Sequence, residues 1–147
     1  MNQKLEEKDS PALKARLQSL GFEQVEFEPK VCNRFIVQIE EFPSYVIKGV
    51  RLPSRTATGW INGVELVCYN PLNTKLEEAA IALVQRGMVD ITIKILTPTA
   101  HVDTVWQIVG KQGSVSFGNL NWSDDGEASR IFLRFEVQNA TISYPTE

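Results

Sequence analysis

Apolar residues along this chain recur with two different periods, and the change of period divides it. Leu13, Leu17 and Leu20 fall at i, i+4 and i+7, one face of a helix. Ser10 before Pro11 supplies an N-cap and a first-turn proline, and Gly21 stands where a C-terminal left-handed glycine belongs. A short amphipathic helix over residues 11–20 follows. Its apolar stripe is narrow, so it docks either on its own domain or on a neighbouring subunit. Residues 22–29, with Phe22 and Phe27, then read as an extended arm ended by Pro29.

From Asn33 the period is two. Phe35, Val37 and Ile39 share one face of a strand, with Arg34, Ile36, Gln38 and Glu40 on the other. Residues 42–44 turn the chain, and a second strand over 45–52 is stopped by Pro53. A polar connector, 54–59, leads to a Trp-led strand over 60–69. Thr74 and Glu77 fit a capping box for a helix over 75–86, whose stripe is Leu76, Ala79, Ala80, Leu83 and Val84 and which ends at Gly87. Strands follow over 90–96, 102–110, 114–120 and 129–140. Turns separate them at 97–100, 111–113 and the Ser-Asp-Asp-Gly run 123–126. The pattern predicts an N-terminal helix and arm, residues 1–30, and a mainly β (α+β) domain, 31–147. That domain is an antiparallel sandwich or barrel of about seven strands with one packed helix.

Length and charge narrow the function classes. At 147 residues the chain makes one domain with a real core, and its 43% hydrophobic and 22% charged content is ordinary for a globular protein. A net charge of −3 gives no electrostatic grip on nucleic acid. The N-terminus has no apolar signal region, and no apolar run approaches the roughly 20 residues of a membrane helix. Synthesis in the cytosol is the expectation.

Candidate chemistry is sparse. His101, the single histidine, sits in a predicted turn, where a pairing with Asp103 is arithmetically possible. Asp124 and Asp125 could serve as paired carboxylates, but Asp-Asp-Gly is also what a turn requires. Cys32 and Cys68 read as reduced thiols, or as a disulfide if their strands are neighbours. There is no phosphate loop, dinucleotide fingerprint or nucleophile elbow. No cofactor, metal or catalytic residue is expected. Trp60, Trp106 and Trp122 read as core or interface anchors, with a stacking platform for single-stranded nucleic acid as the alternative. The acidic neighbours of Trp122 disfavour the latter.

Several segments in order carry a resemblance. They are Asn33-Arg-Phe-Ile-Val-Gln-Ile, Val50-Arg-Leu-Pro53, Trp60-Ile-Asn-Gly-Val-Glu-Leu-Val-Cys-Tyr-Asn70, the helix, and Asn119-Leu-Asn-Trp-Ser-Asp-Asp-Gly with the closing strand. Together, over residues 33–142, they resemble the tail tube family of contractile-tailed bacteriophages. The resemblance implies two packed sheets with a flanking helix, in hexameric rings stacked into a hollow tube inside a virion tail. It implies a lumen that passes DNA without sequence-specific binding, and sheath and baseplate proteins as further partners. It implies lumen-facing positions on the strands 90–96 and 102–110: Asp90, Thr92, Lys94 and Gln107. Two departures stand out. Family members commonly carry a long hairpin before the Trp-led strand, where this chain has six residues, 54–59. Residues 1–30 are an addition, and Leu13, Leu17, Leu20, Phe22 and Phe27 are candidates for an inter-subunit contact that replaces the hairpin. A baseplate, tube-initiating or tube-end relative, or a ring protein of type VI secretion, shares the same implied fold. A small β-barrel that binds a ligand or single strands is the reading from another class.

Overall fold

The computed structural model describes residues 11–20, 30, 33–122 and 128–145. The chain divides into two compact units, Met1–Val31 and Cys32–Glu147. In the first, helix α1 spans Pro11–Ser19, with proline at its first position, where the missing N–H costs nothing. The Leu20 amide donates to Arg16 O at 3.1 Å and closes the last turn. Leu13 and Leu20 are exposed. Phe22, Phe27 and the side chain of Leu17 lie outside the described residues.

The second unit holds, in order, β1 (Phe35–Ile39), a 3-10 turn (Ser44–Val46), β2 (Ile47–Arg51), β3 (Ser54–Thr56), β4 (Gly59–Ile61), β5 (Val64–Tyr69), α2 (Leu76–Val84), β6 (Met88–Leu96), β7 (Val102–Ser116) and β8 (Arg130–Ser143). Six strands form one antiparallel sheet in the order β1-β6-β7-β8-β5-β2, and β3 and β4 form a separate ribbon. Of the sandwich and barrel forms predicted, the molecule takes the barrel-like one, a single sheet curled around its apolar face. Rows of side chains on the core face cross the strands: Ile39, Ile91, Ile108 and Ala140 in one row, and Val37, Ile93 and Trp106 in the next, which ends at the exposed Ile142.

The two long strands are offset spines. Strand β6 pairs with β7 only from Val102 to Lys111, and β5 pairs with β8 only from Arg130 to Phe135. A four-strand layer, β1-β6-β7-β8, therefore passes into a second layer, β7-β8-β5-β2. The bend between them lies where the β7–β8 register shifts, between Val109 and Gly110 and again between Lys111 and Ser114. Extra residues in a ladder increase local twist and bend the strand.

Residues 111–113 were predicted as a turn. They are instead a bulge inside one continuous strand, with Gln112 at φ 51°. Glycine is the signature of both features, and only the pairing distinguishes them. The side chain of Phe135 packs onto this bulge. A Cβ placed on Gly113 would lie 2.5 Å from Phe135 Cε1, and one on Gly110 would lie 2.8 Å from Phe135 Cβ. A third glycine, Gly63, has φ 57° and passes so close that a Cβ would sit 2.6 Å from Phe135 O.

Helix α2 lies against β7 and β8 and buries Leu76, Ala80 and Leu83, the spacing its stripe predicts. It is shorter than the predicted 75–86, and the capping box does not form. The Thr74 hydroxyl donates to Pro71 O at 2.9 Å, and Glu77 Oε2 accepts from Asn70 Nδ2 at 2.9 Å. That bond from Asn70, with one from the backbone N–H of Glu77, lowers the carboxyl pKa of Glu77. The predicted strand 60–69 is two strands, because Asn62 and Gly63 both take positive φ and break it. The turn at 97–100 forms as predicted, with Ala100 N donating to Thr97 O at 2.9 Å. The 123–126 turn lies outside the described residues.

Two outcomes follow from this core. Gly113→Ala forces Phe135 off its seat and destabilises the domain by about 1–3 kcal/mol, while Phe135→Ala costs about 3–5 kcal/mol through the cavity it leaves. In Gly113→Ala/Phe135→Leu the loss of stability, measured by urea unfolding, is smaller than the sum of the losses in Gly113→Ala and Phe135→Leu alone, because the clash partner is smaller. Cys68 is a free thiol with no solvent exposure, and burial pushes it from 9.0 up to about 11. The folded state favours the protonated form. The contribution is therefore present below pH 9 and lost as pH rises toward 11, by about 2–3 kcal/mol. Wild type and Cys68→Ala unfolding curves compared at pH 8 and pH 10.5 measure it as the difference in their pH dependence.

Candidate functional site

The face of the four-strand layer turned away from the core is assembled by register. Gln38 on β1 stands opposite Thr92 on β6, Thr92 opposite Gln107 on β7, and Gln107 opposite Thr141 on β8. Strict antiparallel pairing puts all four side chains on one side. The next row is Ile36, Lys94, Val105 and Ser143, and the row on the other flank is Asp90, Val109 and Asn139. All four predicted lumen positions, Asp90, Thr92, Lys94 and Gln107, thus fall on this face. Gln38, Asn139 and Thr141 join them from strands whose neighbours no periodicity reveals. Asp90, Thr92, Gln107, Asn139 and Thr141 line a shallow open groove of about 420 Å³. Asp90 and Lys94 carry opposite signs, and Ile36, Val105 and Val109 stand among the polar side chains, so these rows are mixed and without a dominant charge.

The edges of the sheet differ. Strand β1 is terminal, with no bulge in its pairing to β6 and the sequence Phe-Ile-Val-Gln-Ile, free of proline and lysine. Strand β2, at the other end, carries Lys48, a register shift between Ile47 and Gly49, and Pro53 just beyond it. Lysine, bulge and proline are the devices that protect an edge from pairing, and β1 has none of them. A third edge is internal. Among the described residues, 136–143 of β8 pair with β7 on one side and have no strand on the other.

Near that third edge lies the β3–β4 hairpin, which takes in the predicted polar connector, 54–59, and the first two residues of the predicted Trp-led strand. Trp60 meets Trp106 edge-to-face, with ring centroids 5.9 Å apart and planes at 64°. The Arg55 guanidinium sits 5.4 Å from the Trp60 ring centroid. A stack of this kind contributes about 1–2 kcal/mol beyond buried area. The hairpin's exit is held too: Asn62 O accepts from Arg51 Nη2 at 3.2 Å and from Arg134 Nη1 at 3.4 Å. Two of the three predicted tryptophan anchors therefore come together, whereas Trp122 is fully exposed.

The weaker chemical candidates stay apart. His101 is exposed in its turn, with Nδ1 2.9 Å from Thr99 Oγ1. Asp103 Oδ2 accepts from Thr104 Oγ1 at 2.7 Å. Asp124, Asp125 and Cys32 lie outside the described residues. Among the described residues no group of three or more His, Cys, Asp or Glu could hold a metal ion, and no helix is long and apolar enough to cross a membrane.

No family model matches the chain, and no curated protein matches it in sequence. Solved structures match its fold. A chain of the tube-terminating cap of the anti-feeding prophage superimposes with TM-score 0.60 at 14% identity, covering 86% of this chain and 99% of that one. A chain of the sheath–tube complex of the extracellular contractile injection system PVC, in the extended state, gives TM-score 0.55 at 18% identity, covering 82% and 95%. One from the sheath/tube terminator of PVC gives 0.56 at 17%, covering 82% and 99%. At these identities the likeness establishes a shared fold.

The register of the polar face has a direct check. Thr92→Glu with Gln107→Glu places like charges directly opposite and destabilises the domain by about 0.5–1 kcal/mol relative to Thr92→Glu with Gln107→Lys. Urea unfolding of the two double variants at low salt reads the difference.

Proposed function

We propose that this chain is a structural protein of a contractile injection tail, with a fold of tube type, and that it works by assembly rather than catalysis. The observation that carries this reading is the four-strand layer. It has one face in the core, a polar face outside, and an unpaired strand edge on each side. Copies joined edge to edge, β1 of one against residues 136–143 of the next, extend that layer into a closed ring and leave neither of those two edges exposed. The polar face then lines a lumen. Its hydroxyl and amide rows give a passing phosphate backbone no cluster of cations to hold, which suits passage of DNA without sequence-specific binding. Sheath and baseplate proteins are the partners on this reading, and the tail particle is its location.

The short β3–β4 hairpin favours a position at the start or end of a tube over its repeating middle. A ribbon of this length, held against its own chain, is a poor bridge to an adjacent ring. The cap and terminator assemblies among the structures sharing the fold agree with such a position. Residues 1–30 are then the candidate contact to a neighbouring ring or subunit, through Leu13, Leu17, Leu20, Phe22 and Phe27.

Negative-stain microscopy with mass determination in solution tests the reading. Rings or short tubes with a central hole are expected, six-fold if the resemblance holds. A chain that stays monomeric at high concentration and joins no tail component in a pull-down overturns it. Deleting residues 1–30 is expected to leave a folded domain, by circular dichroism, that assembles poorly; loss of folding would place the helix within the domain core.

A further inference from the structure

We infer that the β3–β4 hairpin is a latch over the unpaired edge of β8, held shut by the contact of Trp60 with Trp106, and that it must swing out before another strand can add there. The inference rests on the assembly reading above and names the step that regulates it.

Three observations converge on it. First, the edge exists: β5 stops pairing at Phe135, while β8 runs on to Ser143. The following residues, which alternate Val137, Ala140 and Ile142 with polar side chains, have backbone groups that an open edge would expose to indiscriminate pairing. Second, the hairpin reaches this region. Strand β4 lies against β8, and Trp60 contacts Trp106, which is itself the β7 partner of Ile142. Third, β4 does not join the sheet. Positive φ at Asn62 (67°) and Gly63 (57°) turns the chain away from the β8 ladder, and β4 pairs with β3 alone. The hairpin therefore occupies the approach to the edge without consuming its hydrogen bonds. A strand paired to the edge would seal it permanently, whereas a ribbon held by one ring contact, Trp60 on Trp106, can leave.

The hinge and the catch are separate. Guanidinium groups of Arg51 and Arg134 hold the carbonyl of Asn62 at the root, and Arg51 is 3.5 Å from Glu65 as well. Those contacts remain when the tip moves. The catch is Trp60 on Trp106 of β7, with Arg55 lying over the Trp60 ring from the same ribbon. An association that needs the open form is weakened by the fraction of chains that are open. Removing the catch therefore lowers the concentration at which copies associate.

The test compares wild type, Arg55→Ala and Trp60→Ala. Light scattering gives the association threshold, and amide hydrogen exchange over residues 138–143 is read in dilute monomer. Arg55→Ala is the control, because its contact, Trp60, lies on the same ribbon; Trp60→Leu stands in if Trp60→Ala does not fold. Faster exchange and a threshold lowered about 3–10-fold in Trp60→Ala are expected, from the loss of a contact of this size. Unchanged exchange in a folded Trp60→Ala or Trp60→Leu overturns the latch. Faster exchange with an unchanged or raised threshold overturns it as a control on assembly. If no chain associates at any concentration or with tail components, the assembly reading fails, and the exchange result alone then decides whether the hairpin covers the edge.

Discussion

Phe135 seated on a bulge cleared by glycine is the contact on which the rest of this structure depends. The ring needs space that a Cβ at Gly110 or Gly113 would fill, and Gly63 passes its carbonyl at a distance no other residue reaches without strain. The extra residues in the ladder at that point bend β7 and β8 together. Without the bend, two spines of 15 and 14 residues would make a long flat ribbon with its apolar face half-covered. With it, the sheet curls onto its own side chains, α2 packs Leu76, Ala80 and Leu83 into the same core against β7 and β8, and the core closes.

The same bend creates the functional surface. Because β6 and β5 join the spines at opposite ends, the sheet has a polar four-strand layer at one end and unpaired edges beside it. Pairing of backbone to backbone is strong in sum and indifferent to side-chain chemistry, so an assembly protein built this way needs few special residues. On the proposed assembly reading, sparse chemistry is expected, and the described candidates are a turn histidine, an aspartate bonded to the adjacent threonine, and a thiol whose burial makes it a poor nucleophile. Specificity then has to come from controlling the edges. Lys48, the β2 register shift and Pro53 do this permanently at one end, and the hairpin does it reversibly beside β8 on the reading advanced above.

Much of the architecture was legible in the sequence. Period-two runs mark β1, β6 and β8 because one face of each is buried and the other is wet. The stripe Leu76, Ala80, Leu83 marks α2 for the same reason. Local signals failed where one residue type serves two geometries. Gly110-Lys-Gln-Gly113 has the composition of a turn and is a bulge. Thr74 and Glu77 have capping-box spacing, yet each side chain found a nearer partner, Pro71 O and Asn70 Nδ2. Asn62-Gly63 interrupts what reads as one strand.

What the sequence determined by itself is which side chains go inside. Hydrophobic transfer depends on residue identity, and alternation fixes a face once a strand exists. Only the tertiary structure decided which strands are neighbours. That choice rests on register and on the bend at Phe135, through contacts between residues far apart in the chain. It is what aligns Gln38, Thr92, Gln107 and Thr141 into one row, brings Trp60 onto Trp106, and leaves residues 136–143 with one free side. Periodicity along a strand carries no information about the strand beside it, so the polar face could be anticipated residue by residue, while its edges and its latch could not.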